Sequence, residues 1–416
     1  MASQFVPSVL QDLRYSMRTL RRDAGFTAFA ILIVGLGIGA TSTVFSVANA
    51  LLLRPLPFDD PSRLVWITNR DSAGLSGQTT QVGHLLDLRE KNQSFSDLAG
   101  YFAFYGVGDS KLTGQGEPER LSGVPVSQNF LQVLGVRPAL GRGFSDEESK
   151  WNGPKAVLLT HALWQRRFAS DPAIVGRALT LDDQPVTVVG VLPASFDFAS
   201  VFAPGSHIDL VFPFALSPET NRWGNTLAIV GRLKPGVTIG AAAAELKVLA
   251  EQITRAHPER NNFEGHLGLL TEHVSGGIRP GLVVLACAVG VVMLIVCANL
   301  SNLLLARAAS RQKEIAIRTA LGAGRRRLIR QMLTESAVLS GGGAALGLVL
   351  AAIGTRALSH MQGLSIPLLQ DVGLDITAFV FTLGLAVLAG VTFGLAPALQ
   401  IPAVGLHGAL KETGRG

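Results

Sequence analysis

The chain has 416 residues, of which 48% are hydrophobic and only 16% are charged, and its formal net charge is +6. An ordinary soluble domain carries about 25% charged residues, so this composition argues against a purely soluble protein. The positive charge does not indicate nucleic-acid binding, because residues 54–279 carry 21 basic and 23 acidic residues and the rest of the chain carries 15 basic and 7 acidic.

The apolar residues are gathered in four runs that contain no Asp, Glu, Lys or Arg. About 20 apolar residues of helix cross the roughly 30 Å hydrocarbon layer of a bilayer. The runs therefore predict four transmembrane helices, at 26–53, 280–306, 336–357 and 376–400, of which the third ends just past Arg356.

The first run follows several arginines and ends at Ala-Asn-Ala (48–50), which faintly resembles a signal peptide with its cleavage site. A signal peptide has an apolar core of about 7–15 residues, and this run is longer. We interpret it as a retained membrane anchor. Small residues also recur along it at a spacing of three to four, which predicts a helix-packing face formed by Gly35, Gly39, Ser42 and Ser46.

The basic residues that flank the four runs predict the topology, because Lys and Arg accumulate on the cytoplasmic side of membrane helices. Four arginines precede the first run. Eight basic residues lie between the second and third, at Arg307, Arg311, Lys313, Arg318, Arg325, Arg326, Arg327 and Arg330. We expect three cytoplasmic segments, 1–25, 307–335 and 401–416, and two outer segments, 54–279 and the short loop 358–375.

Residues 54–279 are predicted to form an α+β domain large enough for two lobes. The segments 184–198 and 225–238 begin as β-branched strands, and 238–258 is an amphipathic helix with Ala242, Leu246, Leu249 and Ile253 on one side. The sequence contains no His-Glu-x-x-His helix, no Gly-x-Ser-x-Gly elbow and no compact set of metal ligands. We predict no catalytic, cofactor-binding or metal-binding residue, and no enzyme activity in this chain.

The basic segment between the second and third helices has an apolar component as well. "EIAIRTAL" (314–321) favours a short helix, "GAG" (322–324) interrupts it, and no Gly-x4-Gly-Lys-Ser/Thr phosphate loop occurs in the sequence. A partly apolar helix can insert into a groove of another protein. Alternatively, the charges only enforce topology, although that does not account for the isoleucines beside Glu314.

The pattern Arg-x-x-Glu-Ile-x-Ile-Arg-x-Ala-Leu-Gly-Ala-x-Arg, which begins at Arg311, resembles the cytoplasmic coupling segment of MacB/FtsX-type ABC permeases. The layout of one helix, a large extracytoplasmic domain and three further helices is also similar to that family. "DLRYSMRTLRRDAGFT" and "ANALLLRPLPF" resemble a bacterial branch in which this unit occurs twice in one polypeptide. In that branch "LHGALKETGRG" is similar to the junction after the first unit.

The resemblance implies a multi-pass protein of the bacterial inner membrane and a permease that works by mechanotransmission. ATP and Mg²⁺ would be bound by a separate ABC ATPase subunit, and a second permease unit would complete a dimer, either as another copy or as a missing second half of the same polypeptide. The resemblance does not decide whether a periplasmic adaptor takes part, which substrate is handled or which ATPase is the partner. The expected ATPase contact comprises Glu314, Ile315, Ile317, Arg318, Ala320, Leu321, Gly322 and Ala323.

Two other classes stay open from the residues alone. One is a membrane-anchored extracytoplasmic sensor or scaffold, or a regulator of a cell-wall hydrolase, that performs no transport. The other is an extracytoplasmic hydrolase, which the missing catalytic motifs disfavour. Recovery of an ATPase with the basic segment would distinguish a permease from both.

Overall fold

The computed structural model describes residues 14, 16–69, 78–104, 109–114, 116–260, 262–310, 325–359, 373 and 375–399. Its contacts divide the chain at Leu53/Arg54 and at Ile278/Arg279 into a membrane unit and an inserted unit. The predicted segments 1–25, 307–335 and 358–375 lie partly outside the described residues, and the tail 401–416 lies wholly outside them.

The described α-helices fall into two groups, long apolar helices in the membrane unit and shorter helices in the inserted unit. In chain order they are α1 (Ala24–Ala48), α2 (Val82–Lys91), α3 (Phe130–Leu134), α4 (His161–Phe168), α5 (Phe198–Phe202), α6 (Pro218–Asn221), α7 (Ile239–Ala256), α8 (Leu270–Ser275), α9 (Arg279–Ser310), α10 (Arg325–Ser359) and α11 (Ile376–Leu399). A π-helical turn, Asn49–Leu53, continues α1, and residues 16–22 ahead of it are also helical.

The strands of the inserted unit form one mixed sheet. They are β1 (Leu64–Thr68), β2 (Phe95–Phe102), β3 (Ser110–Thr113), β4 (Glu119–Leu121), β5 (Gly123–Val126), β6 (Leu140–Gly141), β7 (Ala156–Leu159), β8 (Ala178–Leu181), β9 (Gln184–Val191), β10 (Leu210–Pro213), β11 (Leu227–Leu233) and β12 (His266–Leu269). The sheet order is β12-β1-β11-β2-β5-β10-β7-β9-β8-β3-β4, and β6 pairs with β9.

Four described helices are long and apolar enough to span a membrane. The candidate spans are Ala24–Leu53, Arg279–Arg307, Ile329–Leu358 and Ile376–Gly394. The inserted α+β unit lies between the first and the second of them. The predicted fold class, four transmembrane helices with a large α+β domain inserted after the first, is therefore confirmed.

Two hydrophobic cores lie along the sheet of the inserted unit. In the first, helices α2 and α7 cover strands β1, β2 and β11, and in the second, α4 packs against β7, β8 and β9. Aromatic side chains on α3 and α5 pack beside Trp66 and Tyr101, on the face of the sheet opposite the first core. The expectation of two lobes thus corresponds to two cores on one continuous sheet.

Local sequence accounts for two elements of the first core, β1 and α7. In β1, Val65 and Ile67 point into the first core because alternate residues of a strand share a face, and Trp66 points to the aromatic side. Thr238 is the N-cap of α7, and its Oγ1 accepts a hydrogen bond from the amide of Ala241. Its predicted buried residues are confirmed, since they all lie in the first core, namely Ala242, Leu246, Leu249 and Ile253.

Candidate functional site

The predicted ATPase contact lies outside the described residues, and this applies to Glu314, Ile315, Ile317, Arg318, Ala320, Leu321, Gly322 and Ala323. The structure does describe the two helices that bracket this segment in the chain. Helix α9 ends at Ser310, and α10 begins at Arg325. The candidate site described below therefore consists of the helices and strands to which the segment is connected.

Helix α1 packs directly against α10 through glycines on both helices. A Cβ atom added to Gly39 would lie 3.1 Å from the carbonyl oxygen of Gly347, and one added to Gly347 would lie 3.0 Å from the amide nitrogen of Gly39. At Gly35, an added Cβ would lie 2.7 Å from Leu346. The predicted packing residues Gly35 and Gly39 thus face α10, and the two backbones are in contact because neither side carries a side chain there.

The same helix contacts α11 through polar and aromatic side chains. Ser42 Oγ lies 2.8 Å from Thr382 Oγ1, and because Thr382 donates to the carbonyl of Ala378, Ser42 is the donor of that pair. The rings of Phe45 and Phe381 stack with centroids 3.9 Å apart. The predicted packing residue Ser42 therefore faces α11, and Ser46, one turn further along, is buried.

Two further contacts complete the surroundings of α1. Asn49 Nδ2 donates to Asp375 Oδ2 at 2.8 Å, at the beginning of α11. A Cβ added to Gly37 would lie 3.2 Å from the sulfur of Met293 and 3.3 Å from Val296, both on α9. Helix α1 thus contacts α9, α10 and α11.

The segment that follows α1 and contains Phe58 and Asp59 is packed into the inserted domain. Phe58 is buried, with its ring centroid 6.2 Å from that of Phe196 and 6.1 Å from that of Phe202. Arg232 Nη2 donates to the carbonyl of Asp59 at 2.7 Å, and Gly135, at a φ of 71°, leaves no room for a Cβ beside Asp59. The first residues of the domain therefore form part of its packed structure.

The first and the last strand of the inserted unit are hydrogen-bonded neighbours. Strand β1, the first after α1, pairs antiparallel with β12, the last before α9, from Val65 opposite Leu269 to Thr68 opposite His266. Helix α8 follows β12, and its His273 stacks on Trp66 of β1 with ring centroids 3.9 Å apart. Desolvation lowers the pKa of His273 to about 4, so the stacked imidazole is neutral at neutral pH.

Comparison with known families matches this arrangement along most of the chain. Residues 27–249 match the model of the MacB-like periplasmic core domain, which is more than half of the chain, and residues 286–401 match that of the FtsX-like permease C-terminal domain. The chain belongs to the MacB/FtsX-type ABC permease family. It is a permease component with an extracytoplasmic domain in a multi-pass membrane protein, and its resemblance to this family is confirmed.

Curated relatives of this permease include two macrolide export ATP-binding/permease proteins named MacB. The protein from Burkholderia lata is 26% identical over 277 residues, which is 66% of this chain and 38% of the relative. The protein from Hahella chejuensis is 26% identical over 278 residues, which is 66% of this chain and 40% of the relative. The aligned part of this permease thus spans about two-fifths of the length of these relatives.

Solved structures similar to this permease include two extracytoplasmic domains. The periplasmic region of MacB from Actinobacillus actinomycetemcomitans is 14% identical, covers 55% of this chain and 97% of that one, and gives a TM-score of 0.40. The extracellular domain of the noncanonic ABC-type transporter YknZ from Gram-positive bacteria is 13% identical, covers 49% and 99%, and gives a TM-score of 0.35.

Several residues of the candidate site were not found by sequence reasoning. The partner of the glycine face on α1 had a visible signal, since "SGGGAALG" (340–347) is a second run of small residues in an apolar stretch. Thr382 and Asp375 had no comparable signal. The stack of Trp66 and His273 had none either, because these residues lie far apart in the sequence and only the strand pairing brings them together.

Proposed function

We propose that this permease is the membrane subunit of an ABC-type export or mechanotransmission system. A separate ATPase subunit binds and hydrolyses ATP with Mg²⁺, and the membrane helices convey the resulting movement to the extracytoplasmic domain. The names of the relatives, which combine ATP-binding and permease functions in export proteins, support an ABC ATPase as the partner in general.

One observation carries the mechanical part of the proposal, namely the pairing of β1 with β12. Helix α1 leads into the domain just before β1, and α9 leaves it just after β12 and α8. A shift of α1 relative to α9 is therefore applied to two neighbouring strands of one sheet. Because Phe58 and Arg232 hold the incoming linker against the domain, little of such a shift is absorbed by slack chain.

We propose that the ATPase binds the segment that begins after α9, and we retain the residue roles inferred from its sequence. Ile317 and Leu321, four residues apart on one helical face, fill an apolar groove of the partner, and Glu314 pairs with a basic group there. Gly322 and Gly324 allow the chain to turn into α10. This assignment places both termini and the coupling segment in the cytoplasm, in agreement with the distribution of Lys and Arg.

The proposal includes a second permease unit, since an ABC system of this type operates with two membrane subunits. That unit is either another copy of this chain or a second half of a longer polypeptide. A periplasmic adaptor is compatible with the proposal but is not required by it.

Co-purification from native membranes followed by mass spectrometry tests the proposal. We expect an ABC ATPase to be retained by the wild-type chain and lost when Ile317→Asp and Leu321→Asp are combined. Val248→Asp serves as the control, because Val248 is an apolar residue of α7 that is 54% exposed in the inserted domain. Equal retention of the ATPase by the wild type and the double variant would contradict the assigned contact. Failure to recover an ATPase with the wild-type chain would contradict the proposed function.

Glu314→Lys gives a finer test of the same contact. We expect the variant to insert in the membrane normally and to leave ATP hydrolysis by the bound subunit uncoupled from the extracytoplasmic domain. Normal coupling in this variant would remove Glu314 from the proposed contact.

A further inference from the structure

An ion pair connects the beginning of α1 to the end of α9. Arg307, three residues before the end of α9, donates from Nη2 to the carboxylate of Asp23, which immediately precedes α1. The guanidinium carbon of Arg307 also lies 4.7 Å from the ring centroid of Phe26 on α1. The Arg307 side chain is 11% exposed, whereas that of Asp23 is 46% exposed. Arg307 thus contacts both a carboxylate and an aromatic ring at the beginning of α1.

The groups that receive Arg307 are held in place by their own surroundings. Thr27 Oγ1 donates to the carbonyl of Leu20 at 2.8 Å and fixes the turn that presents Asp23. Leu20 is buried, and Phe26 and Leu304 pack against the same hydrophobic cluster of the membrane unit. Arginine suits such a position, because its planar guanidinium can pair with a carboxylate while it stacks on an aromatic face.

The position of this pair in the chain gives it significance for the proposed mechanism. Helix α9 continues past Arg307 only to Ser310, and the segment assigned to the ATPase begins directly afterwards. Helices α1 and α9 are the two that flank the extracytoplasmic domain. A partner acting on the segment after Ser310 would therefore act first on the end of α9 that Arg307 connects to α1.

We propose that Arg307 is a positioning residue that ties α1 to α9 through Asp23 and Phe26, so that the two helices move as one body at this end. The partner that moves them belongs to the proposed function, on which this inference rests for its role in coupling. The tie itself is a property of this chain and can be tested without the ATPase.

Pulsed electron paramagnetic resonance on the full chain in lipid nanodiscs tests the tie. Spin labels are attached at Ala28→Cys and Ala306→Cys, both exposed positions, after the two native cysteines are changed to serine. We expect one narrow distance distribution in this background, and one about twofold broader when Arg307→Gln is added, since each helix end then moves independently. Arg21→Gln, which removes an exposed charge from the neighbouring helical segment, is expected to leave the distribution narrow.

The exchange of the two charges separates a tie from a general loss of folding. Asp23→Arg combined with Arg307→Asp is expected to restore the narrow distribution, while Asp23→Arg alone broadens it. A narrow distribution in Arg307→Gln would overturn the proposal. A broad distribution that the exchanged pair does not narrow would also overturn it, because the effect would then be one of misfolding.

The coupling role is read separately, with the ATPase that co-purifies with the wild type. We expect Arg307→Gln to retain this subunit but to lose at least about half of the ATP-dependent change in the extracytoplasmic domain. A full ATP response in Arg307→Gln would show that the tie has no part in coupling. If the wild type retains no ATPase, the proposed function fails, while the distance measurement still decides whether the tie exists.

Discussion

The buried histidine of α2 predicts how the stability of the extracytoplasmic domain depends on pH. His84 is 1% exposed, its Nδ1 lies 2.7 Å from Thr80 Oγ1, and its ring stacks on Phe263 with centroids 5.0 Å apart. Burial, together with the positive charge of Arg260, lowers the pKa of His84 from 6.5 to about 4. The folded domain therefore holds this imidazole in its neutral form.

The direction of the effect follows from the two pKa values. The unfolded chain takes up a proton at His84 as the pH falls through 6.5, whereas the folded domain does so only near pH 4. The stability that neutral His84 contributes is fully present above pH 6.5, the pKa in the unfolded chain. It is lost as the pH falls from there towards about 4, the pKa in the folded domain. Between about pH 7.5 and about pH 5 the loss is about 2 kcal/mol, and for a domain of this size it lowers Tm by roughly 4–8 °C.

Tryptophan fluorescence of the purified full chain measures this transition selectively, because the four tryptophans all lie in the inserted domain, at Trp66, Trp151, Trp164 and Trp223. Other groups titrate nearby, and hydrogen bonding to Asp209 raises the pKa of His207, which has the opposite effect on stability. The comparison is therefore with His84→Asn, which should lose about 2 kcal/mol less over the same interval. An equal fall in Tm for wild type and variant would refute the reasoning.

Two substitutions test the packing that surrounds the candidate site. Gly39→Leu should prevent the close approach of α1 and α10 and reduce the yield of monodisperse protein in detergent, measured by size-exclusion chromatography, because a Cβ there already lies 3.1 Å from a backbone oxygen. Gly384→Leu on α11, where nothing lies within 4 Å, should leave the yield unchanged. Phe58→Ala should destabilise the extracytoplasmic domain by about 3–5 kcal/mol in fluorescence-monitored denaturation, whereas Phe104→Ala, at a position 37% exposed, should cost less than about 1 kcal/mol. Equal effects within either pair would contradict the packing described here.

The architecture of the membrane unit could be predicted because the bilayer imposes a length and a composition on each spanning helix. The length and composition of an apolar run do not predict how far the helix continues beyond that run. Helix α10 begins at Arg325, and its candidate span, Ile329–Leu358, includes Arg330 and Glu335, whereas the predicted segment began only after Glu335. Basic residues at a helix end remain compatible with a membrane because their long side chains reach the interface.

The inserted domain was predictable in its class and in single elements, but its sheet was not. The buried face of α7 followed from its helical periodicity. The pairing of β1 with β12 did not, because it joins strands about 200 residues apart and no local pattern specifies the partner of a strand. The same limit applies to Trp66 with His273 and to Asp23 with Arg307, which meet only after the fold has formed.

The central claim is that ATP hydrolysis at the coupling segment moves the strands where the chain enters and leaves the extracytoplasmic domain. Hydrogen–deuterium exchange of the permease with its co-purified ATPase, resolved for peptides covering β1 and β12, measures this directly. We expect ATP to change exchange at Leu64–Thr68 and His266–Leu269 in the wild type, and not when Ile317→Asp and Leu321→Asp are combined. Unchanged exchange in these strands while the bound subunit hydrolyses ATP, or the same change in the double variant, would contradict the account.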